Sequence, residues 1–587
     1  MKRILQISIL LPFASLVFAD HDEKGSKDLP KGSSNALVDV IIQFNLQNGS
    51  KKLQDHLKDI EDMLAKYGVQ PGQNGQNGNQ QGKKDDKVIN SIKALHLKVP
   101  ESLIPWLKAN PAVRYITPNR RTTRFLDLTT AAVGAESAWQ YGLDGTGVGV
   151  AVIDSGVGLV NDLTGPNGVT SRVVYSESFV AGMNASDAYG HGTHVAGILG
   201  SSGIASTGTI FKRSFKGVAP NVNVINLRVL DQNGSGQESD VIAAIQRAIE
   251  LKTTYNIRVI NLSIGRPVFE SYTVDPLCQA VEAAWNAGIV VVVAAGNYGR
   301  DNSLGTLGYG TIASPGNDPY VITVGAMNTN GTALPGDDTI ASYSSKGPTL
   351  ADHIVKPDLV APGNNVISLQ APSTSMALTF PKILISTATY QTIGVVAKSS
   401  DYFRLSGTSM ATPVVSGAAA LLIQQRPSLT PDQVKARLMK TASKALNLYS
   451  TGVDALTGQT YYDQADIFTV GAGYLNITAA LANNDLATLP ALSPTALRNP
   501  LTGKIAILRG IGTWGDSVLW GDASVWGNVV FTNSALFSTD LVMGTSVLWG
   551  DSVLWGDTTT AGFSVLWGDS VYGASSPVAL SADNGDK

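Results

Sequence analysis

The chain has 587 residues, of which 43% are hydrophobic and 15% are charged, and its formal net charge is −3. This near-neutral balance provides no basic surface of the kind that binds nucleic acid, so we exclude a nucleic-acid partner. At about 150 residues per domain, the length predicts three or four structural units.

The N-terminus has the pattern of a secretory signal peptide over residues 1–19. Lys2 and Arg3 precede an apolar run, and small or apolar residues lead up to a cleavage site after Ala19. A start-anchored membrane helix is the alternative, but polar residues interrupt this run, and no later stretch reaches the roughly 18–20 apolar residues that a span needs. We therefore predict a protein that is secreted to the medium or the cell envelope and has no transmembrane span.

Cys278 is the only cysteine in the chain. An exported protein with a single cysteine forms no internal disulfide, so its fold must be held together by its own core. Cys278 lies in DPLCQAVEAAWNAG, a stretch with helical periodicity. This position predicts that the thiol is buried as a small hydrophobic group.

Strand and helix patterns alternate over residues of about 36–120. Three strand-like stretches (ALVDVIIQFN, IKALHLKVP and AVRYITPN) are separated by two helix-like ones (KKLQDHLKDIEDMLAKYG and SLIPWLKAN). A polar low-complexity loop, PGQNGQNGNQQGKKDDK, follows the first helix. This order predicts a small α+β unit.

The pattern changes between residues 142 and 481. Apolar, β-branched runs such as GVGVAVID, VNVINLRVL and GIVVVVAAGN alternate with helical patterns such as SDVIAAIQRAIELKT. Strands that are apolar throughout are typical of a parallel sheet with both faces covered, so we predict an α/β fold, a three-layer sandwich with a mostly parallel central sheet. Functional residues in such folds lie at the C-terminal ends of the strands.

The last part of the chain, residues 485–587, is repetitive. The sequence SVLWGD occurs at residues 517–522, 546–551, 552–557 and 564–569, and six of the nine tryptophans lie in this region. We predict a tryptophan-rich β-repeat module. Its tryptophans either form the core of the repeat or bind a cell surface or polysaccharide. A third interpretation is a sorting appendage that is removed during maturation.

Three polar residues lie at the ends of predicted elements. Asp154 ends the strand-like GVGVAVID, His191 lies in GHGTHVAG, and Ser409 is near the start of a predicted helix in LSGTSMATP. A serine hydroxyl becomes a nucleophile when a base removes its proton and a third group orients that base. Taken singly, the aspartate and the serine are more simply caps, and His191 with His194 is either a metal-binding pair or one base and one packing residue.

These three segments together carry a resemblance to a known family. AVIDSGV, GHGTHVAG and LSGTSMATP resemble, intact and in order, the active-site signatures of the subtilases, the subtilisin-like and proteinase K-like serine peptidases. The resemblance implies a secreted serine endopeptidase that cleaves proteins through an acyl-enzyme. It implies His191 as the general base, Asp154 as the residue that orients it and Ser409 as the nucleophile. His194 then packs beside the site, and the two histidines are not a metal site.

Further segments of the chain resemble the substrate-binding parts of the family. VVAAGN is similar to the oxyanion segment, which makes Asn297 a donor beside the backbone N–H of Ser409. VINLSIG and VLDQNGSGQ are similar to the two strands that hold the substrate as an added β-strand. These two segments give six expected substrate-binding residues: Ser263, Ile264, Gly265, Gly234, Ser235 and Gly236. The resemblance also implies broad specificity, with large apolar or aromatic P1 residues.

The same resemblance implies that the α+β unit is an inhibitor-type, ferredoxin-like domain of a propeptide spanning residues 20–125. Such a unit assists folding and then inhibits, and its tail, VRYITPNRRTTRF, leads into the active site. We expect self-cleavage near Phe125 and Leu126, and a cut anywhere in 120–128 fits. The peptidase domain then spans residues 126–484.

The chain departs from the small secreted subtilisins in its length and in one segment. An insertion at about 371–402 lengthens the spacing between His191 and Ser409. The segment after the histidine helix, GSSGIASTGTIFKRSFKGVAP, lacks the Asn and Asp ligands that hold a structural calcium in subtilisins. We therefore expect no calcium there, no metal in the active site and no required cofactor, and a calcium site elsewhere stays open.

Overall fold

The computed structural model describes residues 24, 29, 36–45, 53–66, 87–89, 93–118, 128–165, 168–303, 305–392, 396–498, 505–508 and 585–586. The chain divides into two compact units, Met1–Thr123 and Arg124–Lys587. The predicted signal peptide, the processing site at Phe125 and Leu126, and the SVLWGD repeats lie outside the described residues. The predictions made for them stay predictions.

The first unit is built on a four-stranded antiparallel sheet with the strand order β2-β3-β1-β4. Its elements are β1 (Leu37–Phe44), α1 (Leu53–Lys66), β2 (Lys87–Ile89), β3 (Ala94–Pro100), α2 (Ile104–Ala109) and β4 (Val113–Pro118). This is the β-α-β-β-α-β order of ferredoxin-like folds. Every second residue towards the end of β1 is buried, at Val40, Ile42 and Phe44, as expected for a strand with one face on the core.

The second unit contains an eight-stranded sheet with the order β11-β10-β9-β8-β5-β7-β6, in which β12 also pairs with β10. The pairs are parallel except for β10 with β11. Its strands are β5 (Gly149–Asp154), β6 (Val173–Ser178), β7 (Asn223–Arg228), β8 (Ile257–Leu262), β9 (Val290–Ala294), β10 (Ile322–Asn328), β11 (Thr339–Ile340) and β12 (Leu359–Pro362). The predicted α/β fold with a mostly parallel sheet is confirmed.

Three small antiparallel sheets lie outside the main one. They pair β13 (Val366–Leu369) and β14 (Leu384–Ser386) with β15 (Lys398–Leu405), β16 (Tyr449–Val453) with β17 (Thr460–Gln464), and β18 (Thr495–Arg498) with β19 (Ile505–Leu508). The predicted insertion at 371–402 contributes β14 and the first part of β15 to the first of these sheets. The insertion is therefore a folded element of the second unit.

Helices cover the main sheet, so that every residue of β5, β9 and β10 is buried. The helices are α3 (Leu128–Ala132), α4 (Ala135–Gln140), α5 (His191–Gly200), α6 (Glu238–Tyr255), α7 (Pro276–Asn286), α8 (Ser375–Thr379), α9 (Thr408–Gln425), α10 (Pro431–Thr441) and α11 (Ile477–Ala482). Helix α6 packs on α7, α5 packs on α9, and all four contact the sheet. Among the helices of the described residues, none has the length and apolar character needed to cross a membrane.

Local sequence signals account for the helix ends. At the start of α7, the Asp275 carboxylate accepts the backbone N–H of Leu277 at 2.9 Å, and Pro276 occupies the first helical position. Asn256 directly follows the last residue of α6 and caps the helix in the left-handed conformation, with a φ of 49°. Cys278 in α7 is buried, as predicted, and burial raises the pKa of its thiol.

Candidate active site

Three elements bring the predicted catalytic side chains into the core of the second unit. Strand β5 ends at Asp154, helix α5 begins at His191, and helix α9 begins so that Ser409 lies in its first turn. All three residues are buried. The end of one parallel strand and the starts of two helices therefore hold these three residues. Functional sites of α/β proteins commonly lie at such C-terminal strand ends.

The imidazole of His191 is held by the carboxylate of Asp154. Its Nδ1 lies 2.8 Å from Oδ1 and 3.0 Å from Oδ2, and Oδ1 also accepts the backbone N–H of Ser155 at 2.7 Å. Since a carboxylate is an acceptor, Nδ1 carries the proton and Nε2 presents its lone pair. This Nε2 is buried and has no hydrogen-bond partner among the described residues.

The hydroxyl of Ser409 donates to the carbonyl oxygen of Ser263 at 3.0 Å. In return, the hydroxyl of Ser263 donates to the carbonyl oxygen of Ser409 at 2.9 Å. The sequence predicts that the hydroxyl of Ser409 points to Nε2 of His191, whereas here it bonds to Ser263. In substrate-free enzymes catalytic hydrogen bonds are often long or differently paired, and a carbonyl is an equally good acceptor for the hydroxyl.

Asn297 lies behind the start of α9. Its side-chain oxygen accepts the backbone N–H of Thr408 at 2.9 Å and the hydroxyl of Thr408 at 3.1 Å. Because the oxygen is the acceptor, the amide nitrogen is the donating end of this side chain. The preceding Gly296 has a φ of 106°, and a Cβ there would lie 2.8 Å from Oγ of Ser345. Glycine is therefore required for the turn that positions Asn297.

The two predicted substrate-binding segments differ in exposure. Ser263 and Ile264 follow β8 directly and are buried. Gly265 is half-buried, and a Cβ at this position would lie 3.0 Å from the carbonyl oxygen of Ser314, which is a tight contact. The second segment is a turn in which Ser235 and Gly236 are exposed and Gly234 is buried. The N–H of Asp231 donates to the carbonyl of Ser235 at 2.7 Å across this turn.

Gly234 and Gly236 shape that turn. Gly234 has a φ of 76° and packs against the ring of Tyr189, and a Cβ on Gly236 would lie 2.2 Å from the carbonyl of Val229. A side chain at either position would therefore displace the segment that also carries Ser235.

Residues 145–472 match the model of the subtilase family, which is more than half of the chain. The chain belongs to the subtilase family. It is 39% identical over 369 residues to the serine protease AprX of Bacillus subtilis (strain 168), covering 60% of this chain and 75% of that protein. It is 34% identical over 350 residues to subtilisin DY of Bacillus licheniformis, covering 59% of this chain and 96% of that protein.

A solved structure of a cold-adapted subtilisin-like serine proteinase is also similar, with 29% identity and a TM-score of 0.37, covering 55% of this chain and 89% of that one. Membership of the family makes this protein a serine endopeptidase that acts on protein substrates.

Asp187 is a buried residue of the site that the sequence analysis missed. Its carboxylate accepts the N–H of Gly190 at 2.6 Å and both the N–H and the hydroxyl of Thr193, at 2.8 and 2.6 Å. The hydroxyl of Ser155, next to Asp154, donates to it at 2.9 Å. Burial raises the pKa of Asp187. It joins the end of β5 to the start of α5, and an aspartate just before a predicted helix was the available signal.

The insertion at 371–402 contacts the site from a second direction. The backbone N–H of Ser375 in α8 donates to the carbonyl of Ala188 at 3.0 Å, and its hydroxyl donates to the carbonyl of Gln232. The insertion therefore supports both the loop that precedes α5 and the turn that contains the second substrate-binding segment. No local pattern predicts these contacts, because they join residues far apart in the chain.

His194 lies one turn after His191 and is buried. Its Nε2 bonds to the carbonyl of Val366 at 3.1 Å, and its ring packs on that of Phe403 with the centroids 4.9 Å apart. Burial, together with the nearby His191, lowers the pKa of His194 to about 3. The residue is thus neutral at physiological pH and packs as the sequence analysis expected.

Direct hydrogen bonds hold the segment for which no calcium is expected. The carboxylate of Asp162 accepts the hydroxyl of Tyr402 at 2.6 Å, the hydroxyl of Ser201 at 3.0 Å and the N–H of Ala205 at 2.7 Å. Arg172 donates to the carbonyl of Asp162 at 2.8 Å. Across the described ranges, no three His, Cys, Asp or Glu side chains are grouped to hold a metal ion.

Proposed function

We propose that this subtilase cleaves peptide bonds by transferring the acyl group to Ser409, with His191 as the general base and Asp154 as the residue that orients it. One observation carries the proposal. The Nδ1 of His191 is bound to Asp154, whereas its buried Nε2 has no partner among the described residues. A buried nitrogen with a lone pair and no donor is placed to accept a proton from a hydroxyl.

The reaction then follows in two halves. As Oγ of Ser409 attacks the scissile carbonyl, its proton passes to Nε2 of His191, and the imidazolium gives this proton to the leaving amine. A water molecule next loses a proton to His191 and attacks the ester carbonyl, which releases the acid and returns the proton to Ser409. Asp154 stabilises the imidazolium in both halves and is not itself protonated.

The negative charge on the carbonyl oxygen needs donors that are already in place. We assign the amide nitrogen of Asn297 and the backbone N–H of Ser409 to this role. Support comes from the bonds of Thr408 to the oxygen of Asn297, which fix the side chain, and from the place of Ser409 in the first turn of α9. Backbone N–H groups in a first turn have no partner within the helix.

The substrate is proposed to bind as an added strand between Ser263–Gly265 and the turn at 234–236, with large apolar or aromatic P1 residues. The exposure of Ser235 and Gly236, and the lack of a side chain at Gly265, support this placement. A strand bound in this way gains affinity from main-chain hydrogen bonds and selectivity from its side-chain pockets.

We also propose that the protein is secreted as a zymogen and that the first unit is its propeptide, which inhibits until self-cleavage near Phe125. The signal-like N-terminus and the separate fold of Met1–Thr123 support this proposal. Slow formation of a parallel sheet gives such a unit a reason to assist folding.

The test compares the unaltered chain with Ser409→Ala, and with Ser239→Ala as an exposed serine control. After expression, the unaltered chain and the control lose about the first 125 residues on a gel, and hydrolyse a panel of peptides best at large apolar P1 residues. Ser409→Ala keeps its full length and loses about 10⁶-fold in kcat. Identical processing in all three chains contradicts self-cleavage, and activity in Ser409→Ala contradicts its role as nucleophile.

A further inference from the structure

Gly585 and Asp586 are buried in the second unit, and the residues between them and strand β19 lie outside the described part of the chain. Gly585 and Asp586 follow a long stretch of tail, and Asp586 is only 1% exposed. Asp586 forms a β-bridge with Asp454. A charged residue is seldom buried unless partners for its charge surround it.

The carboxylate of Asp586 has three donors. It accepts the backbone N–H of Ser342 at 2.8 Å and the hydroxyl of Ser342 at 2.6 Å, and Nη2 of Arg300 at 2.9 Å. Hydrogen bonds to an ionised carboxylate are about twice as strong as neutral ones. The side chain of Asp586 is therefore recognised as an anion.

The backbone of the dipeptide is bound as well. The N–H of Asp586 donates to the side-chain oxygen of Asn364 at 2.9 Å, and its carbonyl accepts the side-chain amides of Asn364 and Asn365, both at 3.0 Å. The carbonyl of Gly585 accepts the N–H of Ala455 at 3.0 Å. The contacts thus follow the chain over two residues, as in a peptide-binding site.

Arg300 is held in place by groups other than Asp586. Its Nε donates to the hydroxyl of Ser342 at 2.8 Å, and its Nη1 lies 3.3 Å from the carboxylate of Asp454. The guanidinium also lies 5.6 Å from the ring of Tyr343 and 5.3 Å from that of Tyr461. Such a fixed guanidinium is suited to bind a carboxylate with little loss of entropy.

The site also selects glycine before the aspartate. A Cβ on Gly585 would lie 2.8 Å from Oγ of Ser406, closer than real Cβ atoms approach. Gly452 packs against the carboxylate of Asp586, and a Cβ on Gly452 would lie 2.9 Å from both carboxylate oxygens. The shape of the pocket therefore fits a Gly-Asp dipeptide. We name it the Gly-Asp dock, made by Arg300, Ser342, Asn364, Asn365, Ser406 and Gly452.

The sequence of the tail contains the same dipeptide repeatedly. Five further Gly-Asp pairs end the tryptophan-containing repeats, at residues 515–516, 521–522, 550–551, 556–557 and 568–569. We propose that the Gly-Asp dock is a binding site for the Gly-Asp dipeptides of this chain's own tail. Gly585 and Asp586 occupy it in the structure, and the repeats provide its other ligands.

This site goes beyond the proposed catalytic function, but it contacts the same loops. Arg300 follows Asn297 closely in the chain, and Ser406 closely precedes Ser409. The N–H of Asn365 donates to the hydroxyl of Ser406 at 2.9 Å. A Gly-Asp dipeptide in the dock therefore ties together two loops that also carry groups of the catalytic site.

The test uses full-length chains with Ser409→Ala, which prevents self-digestion. In one chain the aspartates of all six Gly-Asp pairs in the tail are replaced by asparagine. A second chain restores only Asp586, and a third restores only the five repeat aspartates. We expect the all-asparagine chain to have a Tm about 2–5 °C below that of the unaltered tail. Each restored chain should recover a part of this difference.

Arg300→Lys in each chain is the matched control, because lysine keeps the charge and loses the forked geometry. In that background, restoring the repeat aspartates should no longer raise the Tm. A Tm that stays at the all-asparagine value when the repeats are restored overturns the proposal. A gain from the repeats that persists in Arg300→Lys also overturns it, since the gain then comes from contacts outside the dock.

If the all-asparagine chain or Arg300→Lys does not fold, added peptides keep the test decisive. The pentapeptides DNGDK and LWGDS should then raise the yield of refolded all-asparagine chain, or its Tm, with at least about tenfold higher apparent affinity than DNGNK and LWGNS. Equal effects of the Asp and Asn peptides, or no effect of LWGDS, contradict the proposal.

Discussion

Two buried clusters of charge in the peptidase unit differ in how completely they are paired. In one, the carboxylate of Asp358 accepts Lys356 at 2.8 Å, Ser493 at 2.6 Å and the N–H of Thr323 at 2.8 Å, and lies 3.3 Å from the ammonium of Lys435. In the other, Asp154 holds one nitrogen of His191, and the second nitrogen has no partner among the described residues.

The fully paired cluster around Asp358 stabilises the fold, whereas the cluster of Asp154 and His191 keeps a nitrogen for the reaction. The ammonium of Lys435 also donates to the carbonyls of Pro319 and Val321, at 2.7 and 3.0 Å, and burial lowers its pKa to about 7. Every group there has a partner, so nothing is left over for a substrate. The Nε2 of His191 keeps a lone pair without a partner among the described residues, which leaves it able to accept a proton.

Asp154→Asn should show the largest effect. The amide keeps the shape of the carboxylate but favours the wrong tautomer of His191, and the rate of peptide hydrolysis should fall by about 10⁴-fold. The midpoint of urea unfolding should stay near that of the unaltered chain. Full activity in this variant would remove Asp154 from the mechanism.

Asp358→Asn should have the opposite outcome. It leaves the ammonium groups of Lys356 and Lys435 buried without their counter-charge, which costs about 3–5 kcal/mol of unfolding free energy. Urea unfolding measures this loss, and the folded fraction should keep its kcat/KM. A loss of kcat/KM without a loss of stability would break the distinction between the two clusters.

Asn297→Ala should reduce kcat by about 10²–10³-fold and leave KM nearly unchanged, because the donor acts on charge that develops in the transition state. Asn286→Ala, at an exposed asparagine of α7, is the matched control. Steady-state kinetics on a peptide substrate separate the two parameters. A rise in KM at constant kcat would instead place Asn297 in ground-state binding.

The pH dependence of stability should reflect the burial of His194. The pKa of His194 is about 3 in the folded state against an ordinary value of 6.5, so between these values the unfolded chain binds the extra proton. Stability from this group is therefore complete above about pH 6.5 and falls as the pH drops towards 3. Measured with Ser409→Ala, adding His194→Gln should flatten the curve in this window, and parallel curves would contradict the assignment.

Local sequence pattern was sufficient to predict the strands and the elements that end at the catalytic residues. The run GVGVAVID became the buried β5, and Met410–Gln425 became most of α9, because apolar β-branched and helical periodicities report burial directly. The sequence indicates Asp187 only as a residue that caps the following helix. It does not indicate the bond of Asp187 to Ser155.

The remaining features depend on contacts between distant residues. Asp586 and Ser342 are 244 residues apart in the chain, and the bond of Ser375 to Gln232 joins the insertion to a loop 143 residues earlier. No periodicity of the sequence reports such pairs. The hydroxyl of Ser409 likewise donates to the carbonyl of Ser263, a bond that the motif does not indicate.

Covalent labelling identifies the nucleophile of this subtilase. Phenylmethylsulfonyl fluoride is added to the processed enzyme, and the modified residue is located by mass spectrometry. We expect a single sulfonylated residue, Ser409, formed with loss of fluoride and in step with the loss of peptidase activity, and slow labelling in His191→Ala because the base is missing. Inactivation with the label on another residue, or labelling of Ser409 at the same rate in His191→Ala, would contradict it.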